Sequence, residues 1–431
     1  MEKTKKTAAK EAPAAPKGMR DIMGDQYYLF QGFFEKAQEV SMYYGFSPIE
    51  TPMLEHESVF TSAIGIGTDI VDKEMYTLKT KGGDHLALRP EHTAPLMRAY
   101  IEHGMQNQPQ PVMFYQYGPS FRHDNPQAGR YRQFYQFDLD ALGSEKSIVD
   151  ATVIKTAVTI LQEAGAQDIS IDLNSIGDKE CRPAYIRELV SYYKKHASEL
   201  PAIDRERLKT NPLRILDSKD PKTKAINENA PDSVSFLCPA CKKHFKEILE
   251  FLSEMDIPYT INKNLVRGLS YYTRSVFEII ERREDGSEIT IAAGGRYDYL
   301  GKQIGSKKDV PAIGMSIGVD RVTMAPWYKK LTPRIMKKPK IYFIQLGADA
   351  KLKSLNIIEI LRKAHIPIAQ TLSKDSLGQQ LAIAEKLGVP YTILFGQKEA
   401  IENAVIVRNM ATRSQETVKI AKLLEYLKEL K

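Results

Sequence analysis

The sequence is poor in the features that mark secreted, membrane and disulfide-built proteins. Three cysteines among 431 residues are too few for a disulfide framework, and they point most simply to the reducing cytoplasm. There is a single tryptophan, and no apolar run approaches the ~18–20 residues that a membrane span needs. Residues 1–16 are rich in Ala, Lys and Pro and have neither the apolar stretch of a secretory signal nor the apolar face of a transit peptide. A disordered, basic, solvated tail is predicted there. No P-loop is present, and no GxGxxG follows a predicted strand, so any ATP is bound by other means.

What is there is an ordinary globular composition, 42% hydrophobic and 27% charged, in a chain long enough for two or three domains. The net charge of +7 is uneven. Residues 340–431 hold fourteen basic and nine acidic side chains, a net of +5, and residues 1–17 hold five Lys and two Glu, a net of +3. The stretch between them nets −1, since 7 − 5 − 3 = −1. Two readings stand: a polyanion is held at the C-terminal end, or the excess is ordinary scatter for a solvated surface.

Apolar spacing predicts a helix from Tyr27 to about Tyr44, then an extended edge path through the two prolines of FSPIETPM. VMFYQY and RQFYQFDLDALG read as two strands around a loop, and a helix is predicted to start near Thr93. Residues 182–257 are charged, irregular and mostly helical, as in an insertion that interrupts a sheet domain. Asp285-Gly286 marks the tight turn of a hairpin. Residues 326–339 read as a linker, after which strands and helices alternate over 340–431, ending in a helix predicted at 416–430.

Five segments could carry chemistry. In QFYQFDLDA, period-two alternation places Tyr135, Phe137, Leu139 and Ala141 on one face and Gln136, Asp138 and Asp140 on the other. The polar face is either half-solvated or the floor of a ligand site. Arg122, Arg130 and Arg132 flank the loop before it, either as anion-gripping guanidiniums or as surface ion-pair partners. Leu88-Arg-Pro-Glu-His-Thr93 sets a carboxylate and a hydroxyl at a helix start, which capping alone could explain. Arg267-Gly-Leu-Ser-Tyr-Tyr272 gathers a cation and two phenols around a glycine. Ala312–Arg321 is a glycine-punctuated strand entering a helix, and its glycines would let a ligand approach the backbone. Separately, Cys238-Pro-Ala-Cys241 has zinc-like spacing. No second CxxC exists and Cys181 lies far off in sequence, so reduced, non-liganding cysteines and no metal site are expected.

In order, these segments resemble the class II aminoacyl-tRNA synthetases, and within them the histidyl-tRNA synthetase family. GFSPIETPMLE resembles motif 1, GPSFRHDNPQAGRYRQFYQFDLDALG motif 2 and AIGMSIGVDR motif 3. LVRGLSYYTRSVFE and AAGGRYDYL resemble the two histidine-specific motifs. The resemblance implies an α+β fold: a catalytic domain on an antiparallel sheet over 17–325, with the helical insertion, and an α/β anticodon-binding domain over 340–431. It implies ligation of L-histidine to tRNA(His) through histidyl-adenylate, with ATP and Mg²⁺, in a C2 homodimer built on motif 1.

Carried over by position, Arg122 and Arg267 would hold the α-phosphate from two sides, and Arg321 the γ-phosphate end, with Asp124 also at the ATP site. Glu91, His92, Thr93, Gln136 and Asp140 would surround the histidine backbone, and Tyr271 and Tyr272 its ring. Gln127, Arg130 and Arg132 would approach the tRNA acceptor end. The chain departs from the family at Ser270, where Asp is common, and at Asn125, where bacterial members usually have Arg. Non-catalytic paralogues, such as regulatory subunits of ATP phosphoribosyltransferase, typically lack the C-terminal domain and degrade RGLxYYT, and both are present here.

Overall fold

The computed structural model describes residues 13–65, 68–126, 129–282, 288–334 and 339–430. Most of the tail, Gln127 and the Asp285-Gly286 turn therefore lie outside the described residues. The chain forms two compact units, residues 1–333 and 334–431.

In the first unit, helix α1 (Asp25–Tyr43) leads to β1 (Ser47–Pro48), β2 (Leu54–His56) and α2 (Glu57–Ile64). Strands β3 (Thr77–Lys79) and β4 (His85–Leu88) then precede α3 (Thr93–Glu102). The long hairpin β5 (Val112–Phe121) and β6 (Gln133–Leu142) is followed by α4 (Ser147–Ala164) and β7 (Ile169–Ser175). Four helices follow: α5 (Arg182–Lys195), α6 (Ala202–Thr210), α7 (Pro221–Asn227) and α8 (Pro239–Glu254). The unit ends with β8 (Tyr259–Ile261), β9 (Thr273–Arg282), β10 (Glu288–Arg296), α9 (Leu300–Gln303), β11 (Ala312–Gly318) and α10 (Val319–Met324).

Eight strands make one sheet in the order β1-β5-β6-β11-β10-β9-β7-β8. All its inner pairings are antiparallel, and only the short edge strands β1 and β8 pair parallel. One face is closed by α1, α4 and α8, whose Phe33, Ile154, Ile160 and Ile248 meet Phe137, Leu139 and Phe277 from the strands, all fully buried. Truncating one such Phe to Ala costs about 3–5 kcal/mol. Helix α8 lies inside the predicted insertion, yet it supplies Phe245, Ile248 and Leu252 to this sheet core. Helix α5 sends Tyr185, Leu189 and Tyr193 into a second core with α3 and Tyr271.

The opposite face of the sheet carries Gln136, Asp138 and Asp140, and all three are buried. The β6–β11 register sets them against Gly318, Ser316 and Gly314. A Cβ on Gly314 would fall 1.9 Å from Asp140 Oδ1, so this glycine makes room for a protein carboxylate. Gly314 and Gly318 also line the cleft over this face, so the strand's backbone is open on that side as well.

Part of the predicted linker packs on the first unit. Tyr328 donates its hydroxyl to Leu29 O at 2.8 Å, and the Lys329 N–H donates to Ala164 O at 2.9 Å. In the second unit, β12 (Ile341–Gln345), α11 (Ala348–Lys363), β13 (Ile368–Gln370), α12 (Leu377–Leu387), β14 (Tyr391–Phe395), α13 (Gln397–Glu402), β15 (Ala404–Asn409), β16 (Gln415–Lys419) and α14 (Leu423–Glu429) build a mixed sheet, β13-β12-β14-β15-β16. The helix predicted at 416–430 is corrected here. Residues 415–419 pair antiparallel with β15, with Val418 buried at the turn of the pattern, and only 423–429 are α-helical. The second unit is thus α/β, as expected.

Candidate active site

A cleft of about 450 Å³ opens over the polar face of the sheet. Its walls bring together residues from every segment singled out above: Glu91 and Thr93, Arg122 and Asp124, Gln136, Arg267 with Tyr271 and Tyr272, and Arg321.

The three arginines are held by different means. Arg122 follows β5, donates from Nε to Pro90 O at 2.9 Å and faces the Phe134 ring at 5.3 Å. Burial pulls its pKa down, and the nearby Arg267 adds to that. Arg267 is paired with Glu278 of β9, whose other oxygen accepts from Thr290 Oγ1 at 2.8 Å. Arg321, in the first turn of α10, donates to Thr290 O at 2.5 Å. Burial lowers its pKa as well, followed by the charges of Arg130 and Arg122. Like charges gathered so closely oppose one another until an anion joins them. Glu278 and Asp124 offset part of that opposition through Arg267 and Arg130.

The other end of the cleft is acidic and phenolic. Glu91 accepts N–H bonds from Thr93 at 2.7 Å and Ala94 at 3.0 Å, so it caps α3 from inside the cleft. It also accepts the Tyr271 hydroxyl at 3.3 Å. Capping and ligand binding were alternatives in the sequence, and the structure gives Glu91 a capping bond and a cleft position at once. Its burial raises its pKa against those two N–H bonds. Tyr271 and Tyr297 are raised well above the ordinary phenol value, first by burial, so both remain protonated at neutral pH. Beneath them Asp140 accepts from Tyr297 at 2.6 Å, and burial with Asp138 alongside pushes it well above the ordinary carboxylate range. Three buried polar atoms here lack partners: Gln136 Oε1, Asp140 Oδ2 and Arg267 Nε. Buried polar groups are ordinarily satisfied, so Gln136 and Arg267, which line the cleft, offer unmet polar atoms to a ligand, whereas Asp140 lies beneath it.

Several expectations need correction. His92 does not line the cleft; its Nδ1 bonds Asp138 below the floor, because α3 begins there and turns the ring inward. Asp140 likewise reaches the cleft only through Tyr297. Arg132 is turned away, donating to Asp124 O at 3.1 Å and packing on Gly18, whereas Arg130 lines the cleft paired with Asp124. Ser270 bonds Ile64 O, tying the 267–272 loop to the end of α2. Sequence reasoning missed Glu278, Thr290 and Tyr297, although Tyr297 lies in the quoted AAGGRYDYL and Glu278 in RSVFE.

Comparison with known proteins gives the family. Residues 18–322 match the family of histidyl-tRNA synthetases, and residues 340–430 match the anticodon binding domain. The chain is 40% identical to the histidine–tRNA ligase of Dehalococcoides mccartyi strain 195, over 96% of this chain and 99% of that one. It is 37% identical to that of Caldicellulosiruptor bescii, over 96% and 98%. Among solved structures, apo histidyl-tRNA synthetase of S. aureus superimposes with a TM-score of 0.79 at 30% identity, over 97% of this chain and 100% of that one. The Nostoc sp. PCC 7120 structure, at 21% identity and a TM-score of 0.63, covers 96% and 99% and shares the fold. The chain belongs to the histidyl-tRNA synthetase family of class II aminoacyl-tRNA synthetases.

Proposed function

We propose that the cleft activates L-histidine with ATP, forming histidyl-adenylate and pyrophosphate, and then passes the histidyl group to the 3′ end of tRNA(His). The observation that carries this reading is the convergence of Arg122, Arg267 and Arg321 on one cleft whose far end is lined by Glu91, Tyr271 and Tyr272. ATP lies along the arginines, and histidine sits on Gln136 with its ammonium toward Glu91 and Thr93. The imidazole meets the phenols. An apolar analogue would leave those groups unpaired, which is how a polar site rejects it.

The reacting histidine carboxylate attacks the α-phosphorus as pyrophosphate leaves, and negative charge grows on the non-bridging oxygens. Arg122 and Arg267, already oriented by Pro90 and Glu278, stabilise that charge without reorganising. Arg321 takes the distal phosphates. No general base is required in this step, and the arginine-rich cleft fits that. Asp124 and Glu278, the carboxylates beside the arginines, would hold the Mg²⁺ that accompanies ATP. The ion would supply neutralising charge for the leaving pyrophosphate.

Arg130, on the cleft wall, meets the entering tRNA end, while the basic second unit reads the anticodon stem; Gln127, expected beside it, lies outside the described residues. The helices α5–α7 flank the acceptor arm. A homodimer is part of this reading, supported by the exposed Met42, Tyr43, Met53 and Leu54 around motif 1. The cytoplasm is its setting, in keeping with three free cysteines. The test is exchange of labelled pyrophosphate into ATP. It should require histidine and not tRNA; exchange that proceeds equally with another amino acid, or none at all, contradicts the proposal.

A further inference from the structure

Outside the cleft, the fold closes a large gap in sequence. Asp178 and Cys181, in the turn after β7, meet Cys238 and Cys241 at the start of α8, and one ligand atom from each lies within 4.8 Å of all the others. The expectation of non-liganding cysteines rested on Cys181 being remote, and in the structure it is not. We infer that these four side chains bind one zinc ion, which fastens α5 and α8 to the sheet beneath the histidine-recognition loop.

The donor set is the first argument. Three sulfurs and one carboxylate are all zinc donors, and four of them are the number that a closed tetrahedral site needs. With Zn–S near 2.3 Å and Zn–O near 2.1 Å, ligand atoms in such a site stand roughly 3.5–3.8 Å apart. Cys181 Sγ and Asp178 Oδ1 are already 3.4 Å apart, so contraction of under about 1 Å completes the set.

The backbone is the second. Cys181 and Cys238 are the N-cap residues of α5 and α8, so each sulfur stands at the amide end of a helix. The Asp178 N–H donates to Cys181 Sγ at 3.3 Å, and the Cys241 N–H donates to Cys238 Sγ at 3.5 Å. Amide donors to sulfur are the outer partners that a metal thiolate uses. A Cβ on Gly177 would fall 2.6 Å from Cys181 Sγ, and its φ of +68° suits glycine, so the turn is shaped around that sulfur. His244 is not a ligand, since its Nε2 bonds Asp150 at 3.1 Å.

Charge and connection follow. Three thiolates and a carboxylate leave −2 after zinc, and Arg274 Nη2, 3.8 Å from Asp178 Oδ2, offsets part of it. Arg182, next to Cys181, donates to Tyr272 O at 2.7 Å and to Gly177 O at 3.0 Å. Arg274, held at φ +47°, donates its N–H to Gly177 O at 2.9 Å. The turn carrying two of the ligands is thus bonded directly to the strand entry that positions Tyr271 and Tyr272. The zinc is structural and takes no part in group transfer.

The full chain, purified without chelator, should carry about one zinc per polypeptide by elemental analysis. Replacement by Co²⁺ should give the thiolate-to-metal charge-transfer band and the intense visible bands of a tetrahedral cobalt thiolate. Chelation should expose three titratable thiols and lower the melting temperature. Cys241→Ser should remove most of the metal. If that variant does not fold, Asp178→Asn keeps three sulfurs and should weaken zinc binding by at least the ~10–100-fold that loss of an outer partner costs. Wild-type protein that holds under a tenth of an equivalent after incubation with zinc and gel filtration, or that gives no cobalt thiolate spectrum, overturns the inference. So does a Cys238–Cys241 disulfide in protein isolated under reducing conditions.

Discussion

Two buried carboxylates of the first unit, Asp140 and Asp150, sit in the same sheet domain in opposite condition. Asp150 is fully enclosed and fully answered: Ser275 Oγ donates at 2.6 Å, His244 Nε2 lies at 3.1 Å, and Arg296 Nε is 3.0 Å from Oδ2. Arg296, itself inaccessible, spends its other donors on Asp298 Oδ1 at 2.7 Å and Ser144 O at 2.8 Å. Burial alone would push Asp150 up, but Arg296, then His244 and Ser275, bring it below the ordinary value. Asp140 is equally buried, has one phenol on one oxygen and nothing on the other, and is driven upward. Burial is common to both, and partners separate them. The completed network holds the fold, whereas the incomplete one supports the cleft only through the Tyr297 hydroxyl.

The comparison can be broken by mutation. The largest effect belongs to Asp150→Ala, which strands Arg296 without its main partner and should cost about 3–5 kcal/mol in urea unfolding. A loss under about 1 kcal/mol would show that the network is not holding the fold. Next, Arg122→Ala should slow adenylate formation by about 10²–10³-fold, the cost of one preorganised donor, with the melting temperature little changed. Smaller and opposite in sign, Asp140→Asn removes a buried, poorly partnered carboxyl while keeping an acceptor for Tyr297. It should stabilise the ligand-free protein by on the order of 1 kcal/mol and raise the KM for histidine. Destabilisation by that change would refute the view of Asp140 as unanswered.

The pH dependence sharpens the contrast. Asp150 has a depressed pKa, so its contribution is present above the ordinary Asp value and is lost as acid titrates it in the fold. Asp140 and Glu91 have raised pKa values, so their contribution is present at low pH and is lost as pH rises through those folded values. Raising the pH from the ordinary carboxylate value through the folded value of Asp140 should therefore destabilise the wild type more than Asp140→Asn. Melting curves across that range, with and without histidine, measure the difference.

Much of this was legible from residue types and their order. Period-two alternation in QFYQFDLDA separates Phe137, Leu139 and Ala141, which joined the core, from Gln136, Asp138 and Asp140, which form the buried floor. The arginines could be named because each sits in a segment with its own local pattern. Which polar residue of a segment faces the cleft was not legible, since that depends on a helix start for His92 and on register for Asp140. Glu278 alternates with apolar neighbours like any half-exposed strand residue, and only the fold brings Arg267 to it. The cysteine cluster was hidden for the same reason: its partners come from two helix starts, and sequence distance carries no information on how those starts meet. At the C-terminus, QETVKIAKLLEYLKEL shows helical spacing throughout, but pairing with β15 takes its first five residues into the sheet.

The central claim is that guanidiniums from distant segments act on one nucleotide, and Arg267 tests it most directly. Single-turnover formation of histidyl-adenylate by Arg267→Ala, at saturating histidine and ATP, should fall by about 10²–10³-fold while circular dichroism and melting stay close to wild type. A near-wild-type rate in a folded Arg267→Ala protein would contradict the account.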